Sequence, residues 1–123
     1  MLYSNPLIYI ELHESQIPWV KIFTHIPHKE FSHCSAKEKV MILEALDCIE
    51  VLMLEYFNPE KINIASFGNM LPRVHWHIMA RFCNDDYFPE PMWGAKQREG
   101  FALNKPIEPF LTLLSEKLIT TFK

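Results

Sequence analysis

Residues 35–57, SAKEKVMILEALDCIEVLMLEYF, constrain the fold of this chain more than any other stretch. Ser35 stands three residues before Glu38, the spacing at which the two side chains satisfy each other's free backbone N–H groups at a helix start. From there Met41, Ile42, Ala45, Leu46, Ile49, Leu52, Met53 and Tyr56 fall on one arc of a 3.6-residue wheel, with Lys37, Glu44, Asp47 and Glu55 opposite. Asn58 and Pro59 end the helix, so one long amphipathic helix must bury its apolar stripe against the rest of the chain. Val40, Leu43, Val51 and Leu54 sit among the charged positions, which points to a further packing layer or a partner.

Strand-forming segments lie on both sides of that helix. LIYIEL (7–12) and WVKIFTHI (19–26) are rich in β-branched and aromatic residues and are separated by HESQIP, so they read as a strand pair. KINIASFG (61–68) reads as a third strand, NMLP as a turn, and RVHWHIMARF (73–82) as a fourth strand antiparallel to the third. Residues 83–109 are interrupted by prolines and read as an irregular loop, in which Tyr87, Phe88 and Trp93 either wall a cleft or cover the core. FLTLLSEKLITTF then forms a second helix, over about 109–122, with Phe110, Leu111, Leu114, Leu118 and Phe122 on one side. The expectation is an α+β fold in a single domain over 1–123: a mainly antiparallel sheet, one long helix packed on it, and a C-terminal helix. A chain with 49% hydrophobic residues can build such a core without disulfides.

Composition narrows the partners. A net charge of −3 supplies no broad field for a nucleic-acid backbone, so bound phosphate must be held locally. No apolar run approaches the ~20 residues of a membrane span, and MLYSNPLIYIELHESQ has no basic leader pattern. Cys34, Cys48 and Cys83 are odd in number and lack CxxC spacing, which suits free thiols in a cytoplasmic protein. His25, His28 and His33, with Lys29, read as solvated loop residues, and Arg81, Lys96 and Arg98 as exposed charge or phosphate contacts.

The chemistry concentrates in RVHWHIMARF. Strand alternation places Arg73, His75, His77 and Met79 on one face, and Val74, Trp76, Ile78 and Ala80 on the other, toward the helix. At ~3.3 Å per residue the two imidazoles lie about 6.6 Å apart, close enough to act on one small group. Three readings fit. Both histidines are structural, bonded to backbone or side-chain partners; or they are two metal ligands, with a third from His13, His25, His28, His33 or Glu11. In the third reading a neutral imidazole attacks phosphorus while the second imidazole, backbone N–H groups and Arg73 stabilise the charge.

The stretch GNMLPRVHWHIMARF resembles the signature of the histidine triad nucleotide-binding family, His-φ-His-φ-His-φ-φ with φ apolar. The order of elements over residues 7 to about 94 is also similar, and DDYFPEPMWG resembles a bacterial branch in which the first triad histidine is replaced. The resemblance implies that His75 is the nucleophile that forms a transient nucleotidyl-histidine, and that His77 contacts the phosphate. Arg73 stands at the replaced first histidine. Asn69 falls where many members carry a glutamine, and Met70 where they carry a Ser or Thr that assists the leaving group. His13 and Glu14 lie near the ribose-contacting position, with Leu7, Ile10 and Ile22 available to an apolar cleft for the base.

On that resemblance the chain is a hydrolase or nucleotidyl transferase acting on dinucleoside polyphosphates or nucleoside phosphoramidates, commonly as a homodimer, with no metal or other cofactor required. The alternative is a nucleotide-binding module with little turnover, because Arg73 and Met70 replace groups that help proton transfer. A His-ligated metal protein is the third reading.

Overall fold

The computed structural model describes residues 1–123. Its sheet has five strands, all paired antiparallel: β1 (Tyr3–Ser4), β2 (Ile8–Leu12), β3 (Trp19–Thr24), β4 (Lys61–Ala65) and β5 (His75–Arg81), in the spatial order β1-β2-β3-β5-β4. Helix α1 (Ala36–Phe57) covers one side and α2 (Ile107–Thr121) packs on α1, which is the expected α+β architecture.

The long helix forms for the reason its sequence implies. Ser35 Oγ accepts from the Glu38 N–H at 3.1 Å, and the Glu38 carboxylate accepts from the Ser35 N–H at 2.6 Å. At the other end Asn58 adopts a left-handed conformation (φ 49°) and its N–H donates to the Leu54 carbonyl. Ile42, Ala45, Leu46, Ile49, Leu52 and Met53 are buried against Ile8, Ile10, Val20, Ile22 and Ile78 of the sheet. Tyr56 sits at the edge of this arc, half-buried, and its hydroxyl donates to the Pro106 carbonyl at 2.7 Å, tying the end of α1 to the start of α2.

Three differences from the sequence reading have local causes. The fourth strand begins at His75 rather than Arg73, because the Val74 N–H turns away from the ladder to the His28 carbonyl at 2.7 Å. The second helix starts two residues before Pro109, with that proline in its first turn, where an N–H would find no partner within the helix anyway. A two-residue strand, β1, pairs with β2 and was not anticipated, since two residues carry no periodicity to read.

β5 lies between β3 and the edge strand β4, and its two faces divide the molecule. Ile78 and Ala80 are fully buried under the helix layer, and Trp76 lies on that same side, opposite Ile22 and edge-on to Phe31 at 5.6 Å. His75, His77, Met79 and Arg81 point the other way, onto the face that the 82–106 segment crosses.

That crossing segment is latched by a buried ion pair. Arg81, 1% exposed, donates from Nε and Nη2 to the two carboxylate oxygens of Asp85 at 2.9 and 3.0 Å, and also to Asn63 Oδ1 and the Glu90 carbonyl. Arg81 is therefore neither surface charge nor a phosphate contact. Arg98 is likewise engaged with the Asp85 and Phe88 carbonyls. Burial alone would raise the Asp85 carboxyl. The hydrogen bonds from Arg81 and from the Phe82, Tyr87 and Phe88 N–H groups outweigh it and hold the group below the usual carboxylate range.

His28 is also misread by a solvated-loop reading. Its ring pairs with the buried carboxylate of Glu38 at 3.0 Å, whereas His25 and His33 are exposed as expected. All three cysteines are free thiols, Cys34 and Cys48 buried and Cys83 exposed. No helix is long and apolar enough to cross a membrane.

Candidate active site

β5 sets His75 and His77 side by side with ring centroids 5.0 Å apart, closer than the strand rise alone separates them, in a T-shaped arrangement. They form the floor of a cleft of about 400 Å³ whose rim is Phe67, Gly68, Asn69, Met70, Leu71 and Trp93. That volume suits a small-molecule site. A larger groove of about 560 Å³ lies between α1 and α2, but no histidine lines it.

Two hydrogen bonds fix the histidines in opposite tautomers. The Arg73 carbonyl can only accept, so His75 Nδ1 carries the proton and donates to it at 2.8 Å. The remaining ring nitrogen, Nε2, then holds a lone pair. For His77 the partner is the Trp19 indole N–H, which can only donate, at 3.0 Å to Nδ1. His77 Nδ1 must accept, so its proton is on Nε2. One ring thus offers a nucleophilic lone pair and its neighbour offers an N–H donor.

His77 keeps that tautomer over a wide pH range. Burial, then the neighbouring His75, Lys21 and His13, all disfavour the imidazolium and lower its pKa to about 4. Since the folded value lies below the unfolded one, the unfolded chain takes up a proton first as pH falls below about 6.5. The stability contribution of neutral His77 is complete above that pH and declines toward pH 4.

Cross-strand pairing supplies the surroundings. Phe23 faces His75 and its ring stacks on the imidazole at 5.3 Å, while Lys21 faces His77. Trp93 lies edge-on to His77 at 4.9 Å and against Trp19 at 5.2 Å and Phe67 at 4.7 Å. The proline-interrupted segment combines the two alternatives: Trp93 walls the cleft, while Phe88 lies under the Arg81 guanidinium and Phe101 packs on Phe82. Ser66 Oγ donates to the His75 carbonyl at 2.7 Å and closes the connection between β4 and β5.

The residues named from the sequence are only partly brought together. Asn69 is an exposed rim residue, and Met70 beside it is 98% exposed. His13 packs on Trp19 at 4.1 Å, so it joins the cleft's flank through that indole, and burial, with Lys21 nearby, lowers its pKa. Glu14 is exposed and touches this group only through its charge on His13.

Arg73 contributes its carbonyl to His75. Its guanidinium does not line the cleft; it donates to the Thr24 carbonyl and lies over the Phe23 and Tyr9 rings at 5.5 and 6.0 Å. Ile10 and Ile22 are fully buried on the helix side of the sheet, so they cannot line an open cleft for a base. On the histidine side the corresponding strands present Tyr9, Glu11, Trp19, Lys21 and Phe23. Trp19 and Lys21 were missed by sequence reading. Alternation in WVKIF places them on one face, but only the β3–β5 register sets that face beside His77.

No family model matches the chain, and no curated protein matches its sequence. Solved structures do match its shape. A histidine triad protein from Bradyrhizobium japonicum is 23% identical with a TM-score of 0.78, over 95% of this chain and 88% of that one. A histidine triad protein from Marinobacter aquaeolei is 24% identical with a TM-score of 0.72, over 98% and 85%. One from Sinorhizobium meliloti is 22% identical with a TM-score of 0.72, over 98% and 87%. The fold that carries His75 and His77 is the histidine triad fold.

Proposed function

We propose that this chain is a nucleotide hydrolase or nucleotidyl transferase of the histidine triad type, acting on dinucleoside polyphosphates or nucleoside phosphoramidates with His75 as nucleophile. The observation that carries this is the pair of opposite tautomers, which gives one imidazole a free lone pair and the other an N–H donor 5.0 Å away, ring to ring.

In the first step the His75 Nε2 lone pair forms a bond to phosphorus as the bond from phosphorus to the departing oxygen or nitrogen breaks. The leaving group departs with that electron pair and takes a proton from water. His75 then carries a positive charge, which the hydrogen bond from its Nδ1 to the Arg73 carbonyl stabilises. The His77 Nε2–H stabilises charge on the phosphoryl oxygens, and Lys21, opposite His77 in register and ion-paired with Glu11 at 3.7 Å, adds positive potential from the flank. Water next attacks phosphorus, the N–P bond breaks, and a nucleoside monophosphate leaves as water's surplus proton passes to solvent. In this reading Asn69 at the rim and His13 beside Trp19, with the Glu14 charge next to it, are offered to the ribose and the outer phosphate chain. Arg73 acts through its backbone and as a positive charge behind Phe23.

A second reading, nucleotide binding with little turnover, is favoured by one observation. Met70, 98% exposed at the rim, supplies no hydroxyl for the leaving group. A binding measurement tests both readings together, and a turnover measurement separates them. AMP or GMP should raise the melting temperature under both; at a hundredfold excess over Kd the stabilisation is about 2.7 kcal/mol. Release of nucleoside monophosphate from a diadenosine polyphosphate should occur only under the first. Absence of any nucleotide-dependent shift would overturn both.

Trp19→Phe tests the tautomer argument itself. The phenyl ring preserves most of the contact with His13 and Trp93, but nothing then holds the proton off His77 Nδ1. The expected result is a fall in kcat of about tenfold or more with little change in KM, accompanied by a changed ¹⁵N spectrum of the His77 ring. An unchanged rate and spectrum would show that the indole is only packing.

The same reading places the protein in the cytoplasm as a single-domain homodimer. Free thiols at all three cysteines, the open edge of β4, and exposed Val40, Leu43 and Leu54 on α1 support it. Light scattering of the purified chain checks the dimer.

A further inference from the structure

Outside the histidine cleft, one cluster unites three different metal-ligating side chains. His28 follows β3, Cys34 ends the single turn of 3-10 helix at Phe31–His33, and Glu38 is the third residue of α1. Their donor atoms all lie within 4.8 Å of one another, with His28 Nε2 3.0 and 3.2 Å from the two Glu38 oxygens. From the juxtaposition of His28, Cys34 and Glu38 we propose that the start of α1 holds a divalent ion of the zinc class, with water as its fourth ligand.

The donor set selects the ion. A thiolate and an imidazole exclude the hard, oxygen-seeking calcium and magnesium, and one nitrogen, one sulfur and one oxygen are ordinary zinc ligands. Geometry allows it with little movement. Bonds of about 2.0 to 2.3 Å in a tetrahedron set donor atoms roughly 3.3 to 3.7 Å apart, so the widest pair must close by about an ångström. Charge also balances: a dication meets one thiolate, one carboxylate and one neutral imidazole, leaving a neutral buried centre. Binding releases the Cys34 thiol proton and any proton shared by His28 and Glu38.

Cys34 and Glu38 are buried, while the His28 ring keeps 17% of its surface open, which gives the ion an entry path. Glu38 already has its geometry locked, because the Ser35 N–H holds one carboxylate oxygen at 2.6 Å. The consequence reaches the cleft through backbone. The His28 carbonyl accepts the Val74 N–H, and Val74 immediately precedes His75, so an ion on His28 ties the start of α1 to the start of β5. The site shares no side chain with the reaction proposed for the cleft.

Cobalt(II) is the probe, because in a tetrahedral site it shows intense ligand-field bands and, with a thiolate bound, a charge-transfer band in the near ultraviolet. The full chain, stripped with a chelator, should take up one cobalt per chain with both features and release it to zinc. Cys34→Ser should lose the charge-transfer band, and His28→Ala should weaken uptake by about a hundredfold. Cys83→Ser and His75→Ala should retain the full spectrum. Because Cys34 is buried, circular dichroism must confirm that its variant folds; His28→Ala, at a more open position, tests the site if it does not. Zinc should raise the melting temperature of the wild-type chain and not of His28→Ala. Absence of tetrahedral bands, a thiolate band that survives Cys34→Ser, or uptake lost in His75→Ala but kept in His28→Ala would each overturn the proposal.

Discussion

His75→Ala is expected to lower turnover of a dinucleoside polyphosphate by on the order of 10⁴-fold or more while leaving nucleotide affinity within a few-fold. The nucleophile's bond to phosphorus exists only along the reaction path, so its loss is felt in kcat and hardly in ground-state binding. His77→Ala should cost less, about 10²- to 10³-fold, as does removal of one donor to a developing oxyanion. The two variants also differ in kind. Rapid quenching of wild type, followed by peptide mass spectrometry under mild base, should find the nucleotidyl group on His75, and His77→Ala should still accumulate some of it. An adduct on His77 would reverse the assignment, because the Trp19 indole donates to His77 Nδ1 and leaves its Nε2 protonated.

Asp85→Ala is expected to destabilise the protein by about 3 to 5 kcal/mol, because removing one partner of a buried ion pair leaves the other charge uncompensated. The Arg81 guanidinium would keep only Asn63 Oδ1 and the Glu90 carbonyl, with 1% of the residue open to water. For a chain of this size the melting temperature should fall by roughly 10 to 20 °C in calorimetry. Three backbone N–H groups, of Phe82, Tyr87 and Phe88, lose their acceptor as well. The damage should extend to the cleft, since this latch holds the segment that brings Trp93 against His77. A loss under 1 kcal/mol would mean that the pair contributes no more than an exposed one.

Acid provides a second readout of the latch. The folded carboxyl of Asp85 lies below its unfolded value, so its stabilising contribution is complete above the unfolded pKa near 4 and is lost as pH falls through the folded one. Glu38 is held below its usual range as well, burial opposing and the bonds from Ser35 and His28 prevailing. Asp85→Asn should therefore flatten the stability curve at its acid end.

Much of this architecture rests on patterns that span only a few residues, and those are legible in a sequence. The Ser35–Glu38 cap, the apolar stripe of α1, the stop at Asn58 and the strand character of LIYIEL, WVKIF and KINIA all follow from spacings of two to four residues. So does the placement of His75 and His77 together on the side away from the helix, because alternation in a strand leaves no other arrangement once Ile78 is buried.

What only the tertiary structure decided is which distant groups meet. Trp19 reaches His77 across 58 positions, and the tautomer of the second imidazole depends on that contact. Arg73 has the right parity for the histidine face, yet β5 starts two residues after it, and its guanidinium found the Thr24 carbonyl and two aromatic rings before any ligand. Arg81 lies on the same face by alternation, and burial beside Asp85 made it a latch rather than a surface charge. Periodicity assigns a side chain to a face, but a hydrogen bond needs a partner within about 3 Å, and strand register and loop closure across tens of residues alone determine that distance.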